Sequence, residues 1–268
     1  MVKINLFAGK ELDMELDFPT DWNELKKKEV LEICRLQLHN GQLHNLSRVE
    51  FFMFLIGSRA KNLPTDWKAL LDMDDICNSL HLLDFIYNEN NLTKQPLTTL
   101  KVGKKELVGL ANDFENITCG EFEELEVLFF HAMEKPSQHI LAKMAAIMFR
   151  EKDVQFQTIH FERLVTYDFA SKAAAFMALP PHILYTAFMW YCGCRFQLPK
   201  KFPTVYNSDD VKDDIQPDVL SFTKCIHAGA GQKNGSRNQI RLTPLLEFMF
   251  DMEQEAIKTN ELNAQYEQ

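Results

Sequence analysis

Apolar residues recur at helical spacing along most of this chain, and this pattern predicts a mainly α-helical fold. Thr118 and Glu121 have the spacing of a capping box, in which the hydroxyl and the carboxylate each accept an amide hydrogen bond at a helix start. The apolar stripe of the helix that follows consists of Phe122, Leu125, Leu128, Phe129, Ala132 and Met133. After Pro136-Ser137 a second apolar stripe covers residues 140–148, so the two segments are predicted to form a helical hairpin.

Further segments carry helix signals of the same kind. Thr20 or Asp21 is predicted to cap a helix that reaches His39, before Asn40-Gly41 ends it. Acidic clusters at 72–75 and 121–124 stand at helix starts, where capping and solvation explain them. The remaining predicted helices cover residues 48–55, 74–87, 168–179, 183–192 and 244–256, and the acidic tail beyond 256 is predicted to fray.

Strand signals are few. Residues 2–18 alternate around Ala8-Gly9-Lys10, which predicts an N-terminal β-hairpin, and a short strand is expected near 97–102. The prolines and aspartates of residues 199–217 predict a loop. The predicted fold is therefore a multi-helix globular bundle with a short N-terminal hairpin. Polar residues after position 88 suggest a boundary between regions 1-90 and 91-268, or else one continuous domain.

Composition narrows the classes of partner. The 268 residues have a formal net charge of −9, which disfavours phosphate, so no sequence-specific nucleic-acid partner is expected. Apolar runs fall short of the roughly 18 residues of a membrane span, so no membrane partner is expected. The six cysteines are scattered without the spacing of a disulfide scaffold, which predicts free thiols in a reducing cytoplasm. The 21 Phe and 11 Met favour bulky, adaptable apolar contacts.

Two motifs invite a chemical interpretation. Cys192-Gly193-Cys194 and Cys225-Ile226-His227 offer zinc-type ligands, but single-residue spacers are unusual, so no metal is predicted. The glycine-rich segment 229–236 matches neither common phosphate-loop template and is predicted to be a surface loop. We therefore predict no enzyme, no catalytic residue and no cofactor. The alternative is a metal-binding or nucleotide-handling enzyme that uses residues 192–237.

Three stretches together resemble a family of uncharacterised helical proteins from the tail-gene region of Bacteroidetes-type tailed double-stranded DNA phages. They are residues 116–126 (NITCGEFEELE), 140–150 (ILAKMAAIMFR) and 188–198 (FMWYCGCRFQL). The resemblance covers residues 18 to 255 and rests on helix-start and core patterns. It implies a non-enzymatic virion or assembly protein, such as a tail or head-to-tail connector ring component or a tail assembly chaperone, and it transfers no catalytic residue.

The helix predicted from residue 183 to about residue 192 is apolar on nearly all sides, so it belongs either to the core or to an interface, in which the segment 183–196 would take part. Together with the resemblance, this predicts interface residues at Phe188, Met189, Trp190, Tyr191 and Phe196. The expected partners are other phage tail or connector proteins and further copies of this chain in a homo-oligomer. The expected location is the virion, assembled in the bacterial host cytoplasm.

Overall fold

The computed structural model describes residues 2–8, 12–40, 45–60, 65, 67–70, 73–88, 90–151, 169–206, 221–231 and 235–266. Within these residues the fold is mainly helical, as the apolar periodicity predicts, and it includes a three-stranded antiparallel sheet. No helix of the described residues is long and apolar enough to cross a membrane.

The elements are numbered in chain order. The α-helices are α1 (Lys27–Asn40), α2 (Asn45–Arg59), α3 (Trp67–Leu70), α4 (Met73–Ser79), α5 (Cys119–Glu134), α6 (Gln138–Met148), α7 (Phe169–Phe176), α8 (Pro181–Lys201), α9 (Pro203–Tyr206), α10 (Ser221–Gly229), α11 (Arg237–Leu242) and α12 (Leu245–Tyr266). Short 3-10 helices cover Trp22–Glu24, Leu80–Ile86 and Asn112–Phe114. The strands are β1 (Val2–Ala8), β2 (Leu12–Phe18), β3 (Thr99–Val102), β4 (Lys105–Gly109) and β5 (Phe149–Glu151).

The helical hairpin of α5 and α6 is confirmed. The backbone N–H of Glu121 donates to the Thr118 hydroxyl at 3.3 Å, and the Thr118 N–H donates to the Glu121 carboxylate at 3.1 Å. Ser137 caps α6 by accepting the Ile140 N–H at 3.3 Å. The stripe of α5 departs from the prediction at Met133, which is 60% exposed because it lies in the last turn.

The strands form two separate antiparallel groups. β1 pairs with β2, with Val2 opposite Phe18, but residues 9–11 lie outside the described residues, so the predicted turn stays a prediction. The strand expected near 97–102 is β3, which joins β4 and β5 in the order β3-β4-β5. β4 and β5 were not predicted, because they are short and follow no clear alternation.

Several predicted boundaries are wrong. Asp21 caps only a 3-10 helix, accepting the Asn23 N–H at 2.7 Å, and α1 begins later, at Lys27. The predicted loop 199–217 is helical as far as position 206, except around Phe202, and residues 207–220 lie outside the described residues. Pro199 is tolerated in α8 because it lies near the end, where a lost amide disrupts little of the helix. The tail expected to fray is helical to Tyr266.

One hydrophobic cluster fills the core, and residues of both predicted regions, 1-90 and 91-268, contribute to it. α8 runs through its centre and packs against α1 and α6. The largest fully buried side chains are Trp22, Trp190, Tyr191, Phe18, Phe51, Phe52, Phe114, Phe122, Phe149, Phe176, Ile33 and Leu36. Most Phe side chains of the described residues therefore lie in the core.

Candidate interaction site

The middle of α8 is enclosed by the chain itself. Trp190 and Tyr191 are completely buried, and the Phe114 ring centroid lies 5.5 Å from that of Trp190 and 5.4 Å from that of Tyr191. The Trp190 indole N–H donates to the carbonyl of Thr93 at 3.0 Å. Ring packing and a satisfied indole therefore account for these side chains without a partner protein.

The predicted interface residues separate into two groups. Phe188 is only 8% exposed and stacks on Phe129 at 6.2 Å, so with Trp190 and Tyr191 it belongs to the core. The predicted interface position of these three residues is therefore corrected, because their burial places them in the core of the chain. Met189 and Phe196 are accessible, and both line an open cavity.

This cavity has a volume of about 620 Å³ and lies beside the C-terminal half of α8. Its lining residues are Trp22, Ile86, Asn88, Asn90, Met189, Arg195, Phe196, Pro199, Lys200 and Tyr206. Most of these side chains are apolar or aromatic, and the charged ones are both cations. Concave, largely apolar sites with a few polar groups are typical of ligand binding.

Hydrogen bonds hold the wall of the cavity to which Asn88 and Asn90 contribute. The Asn90 side-chain amide donates to the Met189 carbonyl of α8 at 2.7 Å, and its oxygen accepts the Leu92 N–H at 3.0 Å. Asn91 accepts the Trp22 backbone N–H at 3.2 Å. Because these bonds join segments far apart in sequence, the position of the wall depends on the complete fold.

A buried ionic cluster positions the cationic side of the cavity. The Glu126 carboxylate of α5 accepts the Tyr191 hydroxyl at 2.6 Å and the Arg195 guanidinium at 2.7 and 3.1 Å. The guanidinium carbon also lies 4.4 Å from the Phe129 ring centroid, a cation–π contact. Burial, followed by the neighbouring Glu126 charge, raises the pKa of Tyr191 well above its usual value. The phenol therefore remains a hydrogen-bond donor to Glu126.

Trp22 supplies an unusual polar atom next to this cavity. Its side chain is 1% exposed, and its indole nitrogen is buried without a hydrogen-bond acceptor among the described residues. The Phe85 ring meets the indole edge to face, with centroids 6.5 Å apart, and offers no conventional acceptor. A buried donor without an acceptor is uncommon and calls for a physical explanation.

The zinc-type side chains of the two cysteine motifs are distributed over two helices. Cys192 and Cys194 are buried in α8, where burial raises the pKa of both thiols, and Cys225 and His227 lie on α10. Within the described part of the chain, no three or more His, Cys, Asp or Glu side chains are grouped as a metal site would require.

The glycine-rich segment is described only at its ends. Residues 232–234, which include Lys233, lie outside the described residues. At the far end, Ser236 caps α11 through a capping box with Gln239, whose side chain accepts the Ser236 N–H at 2.6 Å. Ser236 is therefore engaged in helix capping, and the surface loop predicted for residues 229–236 stays a prediction, because its centre lies outside the described residues.

Sequence reasoning missed the cavity and the ionic cluster beside it. One signal was present, because Arg195 is the lone charged residue between positions 183 and 198, and a cation in an apolar helix requires a carboxylate partner. Nothing local marked Trp22, Ile86 or Asn90, since only the tertiary fold brings them to α8.

No family model, curated protein or solved structure matches this chain.

Proposed function

We propose that this protein is a non-enzymatic structural or assembly protein of a tailed bacteriophage, acting in the virion or during its assembly through contacts with other tail or connector proteins and with its own copies. The observation that supports this proposal is the distal half of α12. All residues from 258 to 266 are exposed, although the helix continues through them without interruption.

The first half of α12 packs against the core of the protein. Leu245, Phe248 and Met249 are buried in the core. Beyond them, Leu262 is 52% exposed and Tyr266 is 87% exposed, with Phe250 57% exposed on another side. At 1.5 Å per residue, the nine exposed residues extend the helix by about 13 Å.

An exposed helix end of this kind gains little stability when it contacts only water. Thr259, Asn260 and Asn263 have weak helix propensity, and stability in protein helices comes mostly from packing of an apolar face. A neighbouring subunit that covers Leu262 and Tyr266 would supply that packing. Together with the resemblance of three stretches to phage tail-region proteins, this favours an assembly role over the enzymatic alternative.

The test begins with the particle. Mass spectrometry of purified virions of the encoding phage, and affinity capture of the tagged full chain from infected cells, should detect this protein with tail or connector proteins. Absence from virions together with failure to capture any tail or connector protein would refute the assembly function.

A matched pair of variants tests the role of α12. Leu262→Ser combined with Tyr266→Ser should abolish capture, whereas Met133→Ser, at an equally exposed apolar site on α5, should leave it unchanged. Both proteins should keep the wild-type far-ultraviolet circular dichroism spectrum. Equal capture by the double variant would show that α12 is not the contact, even if the protein is found in virions.

A further inference from the structure

We propose that the cavity beside α8 binds a small neutral molecule with a largely apolar body and one carbonyl group, whose oxygen accepts the indole N–H of Trp22. Such binding is a function beyond the assembly role. Its determinants are the apolar walls of the cavity and one buried donor, and none of them is a residue of α12.

The donor is a buried polar atom that the described part of the chain leaves unsatisfied. Trp22 is 1% exposed, and its indole nitrogen has no hydrogen-bond acceptor among the described residues. Trp190 differs, because its indole donates to the Thr93 carbonyl at 3.0 Å. An unsatisfied buried donor costs about 1–3 kcal/mol, so a molecule that supplies an acceptor to Trp22 binds more tightly than one that does not.

The surroundings of this donor determine the charge of the group that meets it. The Phe85 ring meets the indole edge to face, with centroids 6.5 Å apart, and Ile86 lines the same cavity. A carboxylate that enters such apolar surroundings loses its hydration, which costs more than one hydrogen bond returns. A neutral carbonyl oxygen loses much less, so it is the acceptor that suits the enclosed indole.

The volume and the walls of the cavity define the rest of the ligand. About 620 Å³ lies within the range of small-molecule sites. Ile86, Met189, Phe196 and Pro199 contribute apolar surface to the lining, so an apolar body leaves water when it binds. Phe196 is 36% exposed and offers an accessible ring on which a planar aromatic body can stack.

Binding requires a small displacement, because the Trp22 nitrogen is fully enclosed. Met189 is the lining side chain best suited to move, since it is unbranched, adaptable and only partly buried. Its backbone is held in place, because its carbonyl accepts the Asn90 side-chain amide at 2.7 Å. A change of side-chain rotamer on a fixed backbone is a common response to binding.

The first experiment measures what the carbonyl contributes. The full chain is titrated with Prodan, a neutral fluorescent naphthyl ketone, and methyl naphthyl ketone should displace it from one site per chain. Isopropenylnaphthalene has a methylene group in place of the carbonyl oxygen and should bind about fivefold more weakly, the factor that corresponds to one hydrogen bond of about 1 kcal/mol. Naphthoate, which is charged, should also bind more weakly than the ketone.

Three results of these titrations would overturn the proposal. They are the absence of saturable Prodan binding, equal affinities for the ketone and its isopropenyl analogue, and binding of naphthoate that is as tight as that of the ketone or tighter.

The second experiment locates the hydrogen bond. The chain has three tryptophans, so a proton–nitrogen correlation spectrum contains three indole signals, which sequential resonance assignment identifies. Relative to the isopropenyl analogue, the ketone should move the Trp22 signal downfield. The Trp190 signal should change little, because its N–H is already bonded to Thr93. A Trp22 signal that is the same with both saturating ligands would contradict the assignment of the donor and, with it, the proposal.

Variants complete the test. Trp22→Phe keeps an aromatic ring and removes the donor, so it should bind the ketone and the isopropenyl analogue equally. Trp67→Phe is the matched control, because Trp67 lines a separate groove, and it should keep the preference of about fivefold. Met189→Trp should fill the cavity and abolish Prodan binding.

A preference for the ketone that persists in Trp22→Phe, or Prodan binding unaffected by Met189→Trp, would overturn the proposal. If either variant does not fold, as judged by circular dichroism, the titrations and the indole spectrum of the wild-type chain decide.

Discussion

Replacing Gly193 with alanine should destabilise this protein, although helix propensity alone predicts the opposite. Gly193 lies inside α8, where Gly→Ala ordinarily stabilises by about 1 kcal/mol. A Cβ atom at this position would lie 2.7 Å from the Leu92 nitrogen and closer still to the Leu92 carbonyl oxygen. Both are backbone atoms, so the contact cannot be relieved by a side-chain rotation.

The expected loss in the free energy of unfolding depends on which backbone segment must move to make room for the Cβ atom. Residues 90–93 are bonded to α8 by Asn90 to the Met189 carbonyl at 2.7 Å and by Trp190 to the Thr93 carbonyl at 3.0 Å. Moving Leu92 away from Gly193 stretches both bonds. Overpacking typically costs about 1–3 kcal/mol, and weakened buried hydrogen bonds add about 1 kcal/mol. After subtracting the propensity gain, we expect a net loss of about 2 kcal/mol.

Urea denaturation followed by circular dichroism measures this free energy of unfolding. Gly57→Ala, near the end of α2, is the matched control, because among the described residues its Cβ would meet the Trp67 side chain alone, at an ordinary 3.4 Å. That variant should be neutral or stabilised by up to about 1 kcal/mol. If Gly193→Ala is as stable as the wild type, the close approach of residues 90–93 to α8 is wrong, and so is the cavity wall that depends on it.

Three further predictions concern buried polar contacts. Arg150→Met removes a cation that pairs with the buried Glu121 carboxylate and should lower the free energy of unfolding by about 3 kcal/mol, measured in urea; a loss below about 1 kcal/mol would contradict this expectation. Tyr191→Phe removes the 2.6 Å hydrogen bond to Glu126 and should cost about 1–2 kcal/mol, measured in the same way. Burial alone would raise the pKa of Glu253, but hydrogen bonds from the α9 amides lower it below its usual value. The stabilisation that Glu253 provides is therefore present above its unfolded-state pKa and is lost as the pH falls through its folded-state pKa. The free energy of unfolding of Glu253→Gln, measured as a function of pH, should therefore fall less steeply at acidic pH than that of the wild type.

Local signals predicted much of the helical framework. The Thr118–Glu121 capping box and the Ser137 cap both involve residues within three positions of each other, so their geometry is encoded locally. The continuous apolar character of residues 183–192 also indicated a core helix as one of two outcomes. Trp190 and Tyr191 lie in the core because other helices pack against α8 on several sides.

Pairings across the chain could not be predicted. The acidic cluster at 121–124 was interpreted as capping and solvation, but Glu123 is 4% exposed and pairs with Arg241 at 2.5 Å. Glu121 pairs with Arg150 and Glu126 with Arg195, so three carboxylates of α5 each bind an arginine from another segment. Periodicity describes which face of a helix is buried, but it does not identify a charge partner more than a hundred residues away.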